Sequence, residues 1–142
     1  MMRTSFVVTL MVMMMAGSCL TSADSPVIPD LTGNWTGTCI GHEREGGYNS
    51  TSEWLLFLSI TEQRDRTFNG TLSYQKKSED KITGNEGFSG AIGPDMKALY
   101  LAEYGGGYSI GEIINPDTLE FIYLQSGEEG SAAIDTFTRE KK

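Results

Sequence analysis

The sequence predicts an all-β domain: an eight-stranded antiparallel up-and-down barrel preceded by a signal peptide. Apolar and polar residues alternate in many short segments, which is the period of a half-buried strand. None of these segments keeps the apolar period of 3.6 residues that an amphipathic helix needs. The seventeen glycines are spread along the chain, as turn and strand positions are. Together these observations favour a barrel or sandwich of short strands.

Residues 1–18 have the features of a signal peptide. Arg3 supplies the positive start, 6–16 is an apolar run interrupted only by Thr9, and 16–18 are the small residues that a signal peptidase requires. The apolar run is too short to span a bilayer comfortably. The protein is therefore predicted to be extracytoplasmic.

The four residues 16–19 resemble a prokaryotic lipobox. In that interpretation Cys19 becomes the first mature residue and carries a lipid, and 19–30 is a short tether between the membrane and the barrel. Cleavage after Ser18 or after Ala23 would instead release a secreted protein. A membrane-anchored lipoprotein and a free secreted protein thus remain alternatives.

The composition argues against several partners. The chain has 19 acidic and 11 basic side chains and a formal net charge of -8. Nucleic acid and anionic lipid headgroups require clustered Lys and Arg, so neither is an expected partner, and the membrane is reached only through a lipid at Cys19. His42 and the glutamates near it follow no recognised ligand spacing, so no metal site is expected. No cofactor is predicted either.

The two cysteines depend on how the chain is processed. If Cys19 is lipidated or removed, Cys39 is alone in an oxidising compartment and is predicted to be buried on the face of Trp35. A disulfide between the two cysteines requires that neither cleavage occurs.

Taken in order, the domain 31–142 contains eight predicted strands. The first places Trp35, Gly37 and Cys39 on one face and polar residues on the other. The predicted strands are 31–40, 54–63, 66–75, 87–92, 97–104, 108–114, 118–125 and 131–139.

The connections predict how the barrel is closed. Tight turns follow the second, fourth and sixth strands, and two of them contain Pro-Asp, which is typical of type I turns. Long connections follow the first and third strands, at 41–53 and 76–86. Alternate connections of an up-and-down meander lie at opposite ends, so we expect a closed base and an open mouth. Eight strands enclose room for side chains or for one small ligand.

Three short motifs resemble those of avidin-like barrels and of the wider lipocalin-type calycins. Residues 31–35 are similar to the opening strand of avidin-like proteins, and Gly33 and Trp35 match the Gly-x-Trp signature of calycins. Residues 68–71 and 134–139 resemble the third and eighth avidin-type strands. The resemblance implies an eight-stranded barrel, a ligand at its mouth and a homo-oligomer as one expected assembly.

The resemblance also implies a ligand role for Asp135. In avidin-like proteins the aspartate of the last strand hydrogen-bonds the ureido group of the ligand, and Asp135 stands at that position. Other contact positions of the family fall near residues without the matching donors, such as Leu72, and the tryptophan box is reduced to Trp35 and Trp54. An unsatisfied ureido oxygen is costly, so biotin is not the expected ligand.

The later strands carry tyrosines that suit a pocket for a small amphipathic or ring-bearing compound. The alternative is that they fill a closed core or lie on the outer face, and that the aspartate bonds only to neighbouring strands. The candidate ligand-binding residues are Asp135, Tyr100, Tyr104, Tyr108 and Tyr123.

The predicted function is a non-catalytic binding module. The chain has one histidine and no Ser/His/Asp or Cys/His arrangement, so an enzyme is not expected. A secreted inhibitor or adaptor acting on another protein, or a structural surface lipoprotein, remains the alternative. Glycosylation sequons occur at Asn34, Asn49 and Asn69, and only a glycosylating host would use them.

Overall fold

A computed structural model describes residues 26–50 and 53–141 of the chain. The predicted signal peptide, the lipidation candidate Cys19 and its disulfide alternative lie outside these residues. Within the described ranges no helix is long and apolar enough to cross a membrane. The strands are β1 (Gly33–Glu43), β2 (Gly47–Asn49), β3 (Trp54–Arg64), β4 (Thr67–Lys76), β5 (Gly84–Ile92), β6 (Ala98–Glu103), β7 (Tyr108–Asn115), β8 (Thr118–Gln125) and β9 (Ser131–Arg139).

Eight of these strands form the predicted closed barrel. From β3 to β9 each strand pairs antiparallel with its neighbour in the chain, and β1 pairs with β3 on one side and β9 on the other. The β1–β9 ladder runs from Trp35 opposite Arg139 to Glu43 opposite Ser131 and closes the sheet on itself. The up-and-down barrel is therefore confirmed.

The first long connection is shorter than predicted. Residues 41–43 continue β1, and the ninth strand β2 folds back on them, with Gly41 opposite Asn49. Gly47 adopts a φ of 71°, a left-handed conformation that glycine permits without strain, where the chain reverses. Because β3 pairs only with the base half of β1, β2 becomes the neighbour of its mouth half.

The two ends of the barrel differ as the turns predicted. The base carries the tight turns after β3, β5 and β7, and in one of them the Asp95 carboxylate accepts hydrogen bonds from the backbone of Lys97 and Ala98 at 3.1 and 2.9 Å. The other end, the mouth, carries the segments 77–83, 104–107 and 126–130. The long connections thus share one end.

The core fills the base half of the barrel. Trp35 is 1% exposed, and its indole N–H donates to the carbonyl of Leu31 at 3.1 Å. Gln63 ties the entering chain down, since it accepts from the backbone N–H of Leu31 at 2.8 Å and donates to the carbonyl of Pro29 at 2.9 Å. The buried apolar residues are Leu31, Trp35, Leu56, Leu58, Ile60, Phe68, Phe88, Ile92, Leu99, Leu101, Leu119, Phe121 and Phe137.

Arg139 covers this core from outside. Its guanidinium lies 4.0 Å from the centre of the Trp35 ring and donates to the carbonyls of Thr32 and Asp30, both at 2.8 Å, and of Pro116 at 3.2 Å. A cation over an indole face is a favourable pairing. The base is therefore closed by the Arg139 guanidinium, a charged group that donates hydrogen bonds to three backbone carbonyls.

The four inward phenylalanines each lie opposite a glycine on the neighbouring strand, where the missing side chain makes room for the ring. In one of these pairs, a Cβ at Gly37 would lie 2.6 Å from the ring of Phe137. Alanine at such a position would have to displace a packed aromatic ring. The cross-strand pairs are Gly37 with Phe137, Gly70 with Phe88, Gly90 with Phe68 and Gly111 with Phe121.

Candidate functional site

A cavity of about 510 Å³ opens at the mouth, above the packed core. This volume lies within the range of small-molecule sites in proteins. We call it the mouth cavity. Its lining residues are Cys39, Gly41, His42, Glu43, Asn49, Trp54, Leu56, Leu72, Tyr74, Asn85, Glu86, Gly105, Gly106, Tyr123, Gln125, Glu129, Ser131, Ala132, Ala133 and Asp135.

Aromatic rings form opposite walls of the mouth cavity. Trp54 on β3 and Tyr74 on β4 meet edge to face, with ring centres 5.9 Å apart. Tyr123 lies on β8, across the barrel from β4, and its hydroxyl bonds to the Gln125 side chain at 2.8 Å. Such walls offer an apolar compound flat surfaces on two sides.

Two carboxyl groups are buried at the inner end of this cavity. Asp135, which lines it, and Glu103 are each 8% exposed. The Ser109 hydroxyl donates to Glu103 at 2.8 Å, whereas no described group donates a hydrogen bond to Asp135. Glu86, on the wall, accepts from the backbone N–H of Gly105 at 3.1 Å.

Burial changes the ionisation of these groups. It raises the pKa of Asp135 to about 7, because a charged carboxylate is disfavoured away from water. Burial also raises the pKa of Glu103 to about 7; the hydrogen bond from Ser109 opposes this rise and the neighbouring Glu86 adds to it. The pKa of Tyr123 rises to about 12 through burial and the surrounding carboxyl groups. Near neutral pH the inner carboxyls are divided between their neutral and charged forms.

Cys39 is a half-buried thiol on the cavity wall, with no disulfide partner among the described residues. Burial first, and then the nearby charges of Asp135 and Glu43, raise its pKa to about 11. Only the thiolate is strongly nucleophilic, so this cysteine is poorly reactive at neutral pH.

The structure brings two of the five predicted site residues together. Asp135 and Tyr123 both line the mouth cavity. Tyr100, Tyr104 and Tyr108 lie on the outer surface instead, 49%, 69% and 52% exposed. Tyr100 and Tyr108 point outward because Leu99, Leu101 and Ser109 occupy the inward positions of their strands, and Tyr104 directly follows the inward Glu103 at the end of β6. The expected pocket lined by tyrosines from all the later strands is therefore not what the barrel forms.

Sequence reasoning missed several residues that line the cavity or lie buried at its inner end. Glu103 continues the inward alternation of Leu99 and Leu101, a pattern that predicts a buried carboxyl at the end of β6. The predicted connection 76–86 includes Glu86, whereas β5 begins at Gly84 and so takes this residue into the barrel. No signal of similar strength identifies Trp54.

No group of three or more His, Cys, Asp or Glu among the described residues is arranged to hold a metal ion. His42 stacks against Tyr48, with ring centres 5.2 Å apart, at the rim. The cavity can therefore offer aromatic surface, hydroxyl groups and carboxylates to a ligand.

The site and the fold define a closed eight-stranded β-barrel with a polar, aromatic mouth. No protein-family model matches the sequence, and no curated protein is detectably similar to it. Among solved structures, a de novo designed fluorescence-activating β-barrel is similar at a TM-score of 0.49 and 12% identity, over 77% of this chain and 93% of that one. An S-type phycobiliprotein lyase from Guillardia theta is similar at a TM-score of 0.49 and 11% identity, over 79% and 89%.

Proposed function

We propose that the protein is an exported, non-catalytic binding module that holds a small amphipathic ligand in the mouth cavity. The observation that carries this proposal is the contrast between a base filled by Trp35 and its neighbours and a mouth that leaves about 510 Å³ open. A barrel with only a structural role has no need of such an opening, because a cavity loses packing energy.

The composition of the cavity supports a ligand with an apolar body. Trp54, Tyr74, Leu56 and Leu72 give it apolar surface, and a few polar groups at the inner end would fix the orientation of a ligand. The likeness of 134–139 to the last avidin-type strand belongs to the same proposal, with Asp135 as the polar anchor and a ligand other than biotin. The proposal includes export, either as a lipoprotein with a lipid at Cys19 or as a secreted protein without one.

Filling the cavity tests this function. A library of neutral, anionic and cationic ring-bearing fragments would be screened against the full chain by ligand-observed NMR, with Ala133→Phe as the variant that fills the cavity. Ala102→Phe is the matched control, because Ala102 is exposed on the outer face of β6. We expect hits that Ala133→Phe abolishes and Ala102→Phe leaves unchanged.

The same hits surviving in Ala133→Phe would place them elsewhere on the surface and overturn the proposal, as would the absence of any hit. Circular dichroism and the melting temperature show whether each variant folds, and Ser131→Phe at the rim is a second filling variant. Native mass spectrometry of the chain purified from its host then reads a bound ligand and a lipid at Cys19 together.

A further inference from the structure

Asp135 is an unusual group for a barrel interior. The residue is 8% exposed, it lines the mouth cavity, and no described donor reaches its carboxylate. A buried carboxylate is costly unless a hydrogen bond or an opposite charge compensates it. No described residue supplies either, and no fully enclosed side-chain oxygen among these residues lacks a partner, so the Asp135 carboxylate is open to the cavity and to a group that enters it.

The other groups around Asp135 give that partner a sign. Glu103 on β6 lies near it, and Glu86 on β5 is a neighbour of Glu103. Glu43 on β1 and Glu129 in the loop 126–130 line the cavity, and none of the described lining residues is Lys or Arg. The remaining titratable groups that line the cavity are Cys39, His42, Tyr74 and Tyr123. The Lys76 ammonium lies at the rim, on the Trp54 ring, so the negative field belongs to the inner end of the cavity, where it repels an anion and favours a cation.

The walls indicate what carries the positive charge. An indole or phenol face attracts a cation and also packs against an apolar ring. Trp54 already shows this behaviour at the rim, where the Lys76 ammonium lies 5.2 Å from the centre of its ring. An inorganic ion would leave these aromatic surfaces unused, and the carboxylates are not arranged as a metal site.

We propose that the mouth cavity binds a small organic cation, a protonated amine on an apolar ring-bearing body, with Asp135 as its main counter-ion and Glu103 and Glu86 completing the negative end. The proposal rests on the proposed function and adds the chemical class of the ligand. The amine would donate its N–H groups to the carboxylates, and its ring would lie between the aromatic walls.

A matched set of three probes tests the charge. 2-Phenylethylamine, 2-phenylethanol and phenylacetate share one ring and are cationic, neutral and anionic at pH 7. Isothermal titration calorimetry on the full chain should show the amine binding at least about tenfold more tightly than the alcohol, since a hydrogen bond to a charged group adds this much. Phenylacetate should bind most weakly.

The pH dependence tests which groups are involved. An alkylamine stays protonated between pH 6 and pH 8, whereas a carboxyl group with a pKa near 7 changes from mostly neutral to mostly charged. The affinity for the amine should therefore rise by about tenfold over this range, and the affinity for the alcohol should not. His42→Gln checks that the His42 imidazole at the rim does not cause the rise in affinity.

Asp135→Asn keeps the size of the side chain and removes its charge. It should weaken amine binding by roughly ten- to a hundredfold and leave alcohol binding within about twofold. It should also reduce the pH dependence, and the part that remains is that of Glu103, whose pKa is also raised to about 7. Glu120→Gln is the matched control, since Glu120 is exposed on the outer face of β8; it should change nothing.

The outcomes separate the two proposals. If 2-phenylethanol binds as tightly as the amine, or Asp135→Asn leaves the amine affinity unchanged, the mouth site stands and the cation proposal is wrong. The cation proposal is also wrong, and the mouth site still stands, if the fragments whose binding Ala133→Phe abolishes are all anionic. If no fragment of any charge binds, the proposed function itself fails.

Discussion

Arg139 and Asp135 lie on the same face of β9, four residues apart, and the two ends of the barrel treat their charges differently. At the base, three backbone carbonyls accept from the Arg139 guanidinium, and the Trp35 ring lies beneath it. Near the mouth, Asp135 is 8% exposed, and no described residue donates a hydrogen bond to its carboxylate. One charge holds the fold together, and the other is a cost to it.

The physical reason lies in what each charge exchanges for water. A guanidinium that bonds to carbonyls and stacks on an indole replaces most of its hydration, so its burial is tolerated. A carboxylate that finds no donor retains the desolvation penalty and shifts its pKa towards the neutral form. The base is therefore the stabilising region of the molecule, and the mouth is the region that gives up stability for its chemistry.

Removing the two tryptophans in turn tests this division most strongly. Trp35→Ala should destabilise the protein by about 3–5 kcal/mol, because Trp35 is 1% exposed and lies at the centre of the base core. Trp54→Ala, at the partly open mouth, should cost less than about 2 kcal/mol. Urea denaturation followed by circular dichroism measures both free energies of unfolding.

An equal loss in the two variants would contradict the division. If Trp35→Ala does not fold, Trp35→Phe still provides the comparison, since it keeps a ring in the core but loses the bond to the Leu31 carbonyl.

Asp135→Asn should make the protein more stable at high pH, the next largest effect. The carboxyl has a pKa of about 7 in the folded state, against 3.8 as its ordinary value. The folded state therefore holds the proton more tightly, and wild-type stability falls as the pH rises from about 4 through 7. The variant loses this penalty, so it should be more stable than the wild type by about 2–4 kcal/mol at pH 8 and nearly equal to it at pH 4.

Urea unfolding at pH 4, 6 and 8 gives the difference between the variant and the wild type at each pH. Glu120→Gln, on the exposed face of β8, should show no such trend. A difference that does not change with pH, or a variant less stable at pH 8, would mean that Asp135 has a partner in the folded protein and that the contrast with Arg139 is wrong.

The barrel could be predicted from the sequence because local patterns determine it. Alternation places Trp35, Leu58 and Phe121 inside, and the Pro-Asp turns mark one end of the meander. The short β2 was missed because Gly47–Asn49 has too few residues for an alternating pattern, and it pairs only because β1 extends beyond β3.

The cavity could be predicted less well, because it depends on which face each strand turns inward. The alternation of Leu99 and Leu101 is enough to place Tyr100 outside. On β7 both faces carry apolar residues, so Tyr108 and Ser109 cannot be distinguished by period alone. That Glu86, Glu103 and Asp135 meet is a property of the closed barrel, since they come from three separate strands.

The smallest expected effect is a change in the alkylation rate of the Cys39 thiol, which lies on the wall of the mouth cavity. Its pKa of about 11 leaves very little thiolate at pH 8, so iodoacetamide should modify it roughly a hundredfold more slowly than a free cysteine. Asp135→Asn should raise this rate only a few fold, because burial contributes more to the shift than the Asp135 charge does. Mass spectrometry with fragmentation that locates the label on Cys39 measures the rate in both proteins. Rapid labelling of the wild type would mean that water reaches the mouth more freely than the burial of Asp135 implies. The base and the mouth would then differ in hydration, and not in whether a charged group has a hydrogen-bond partner.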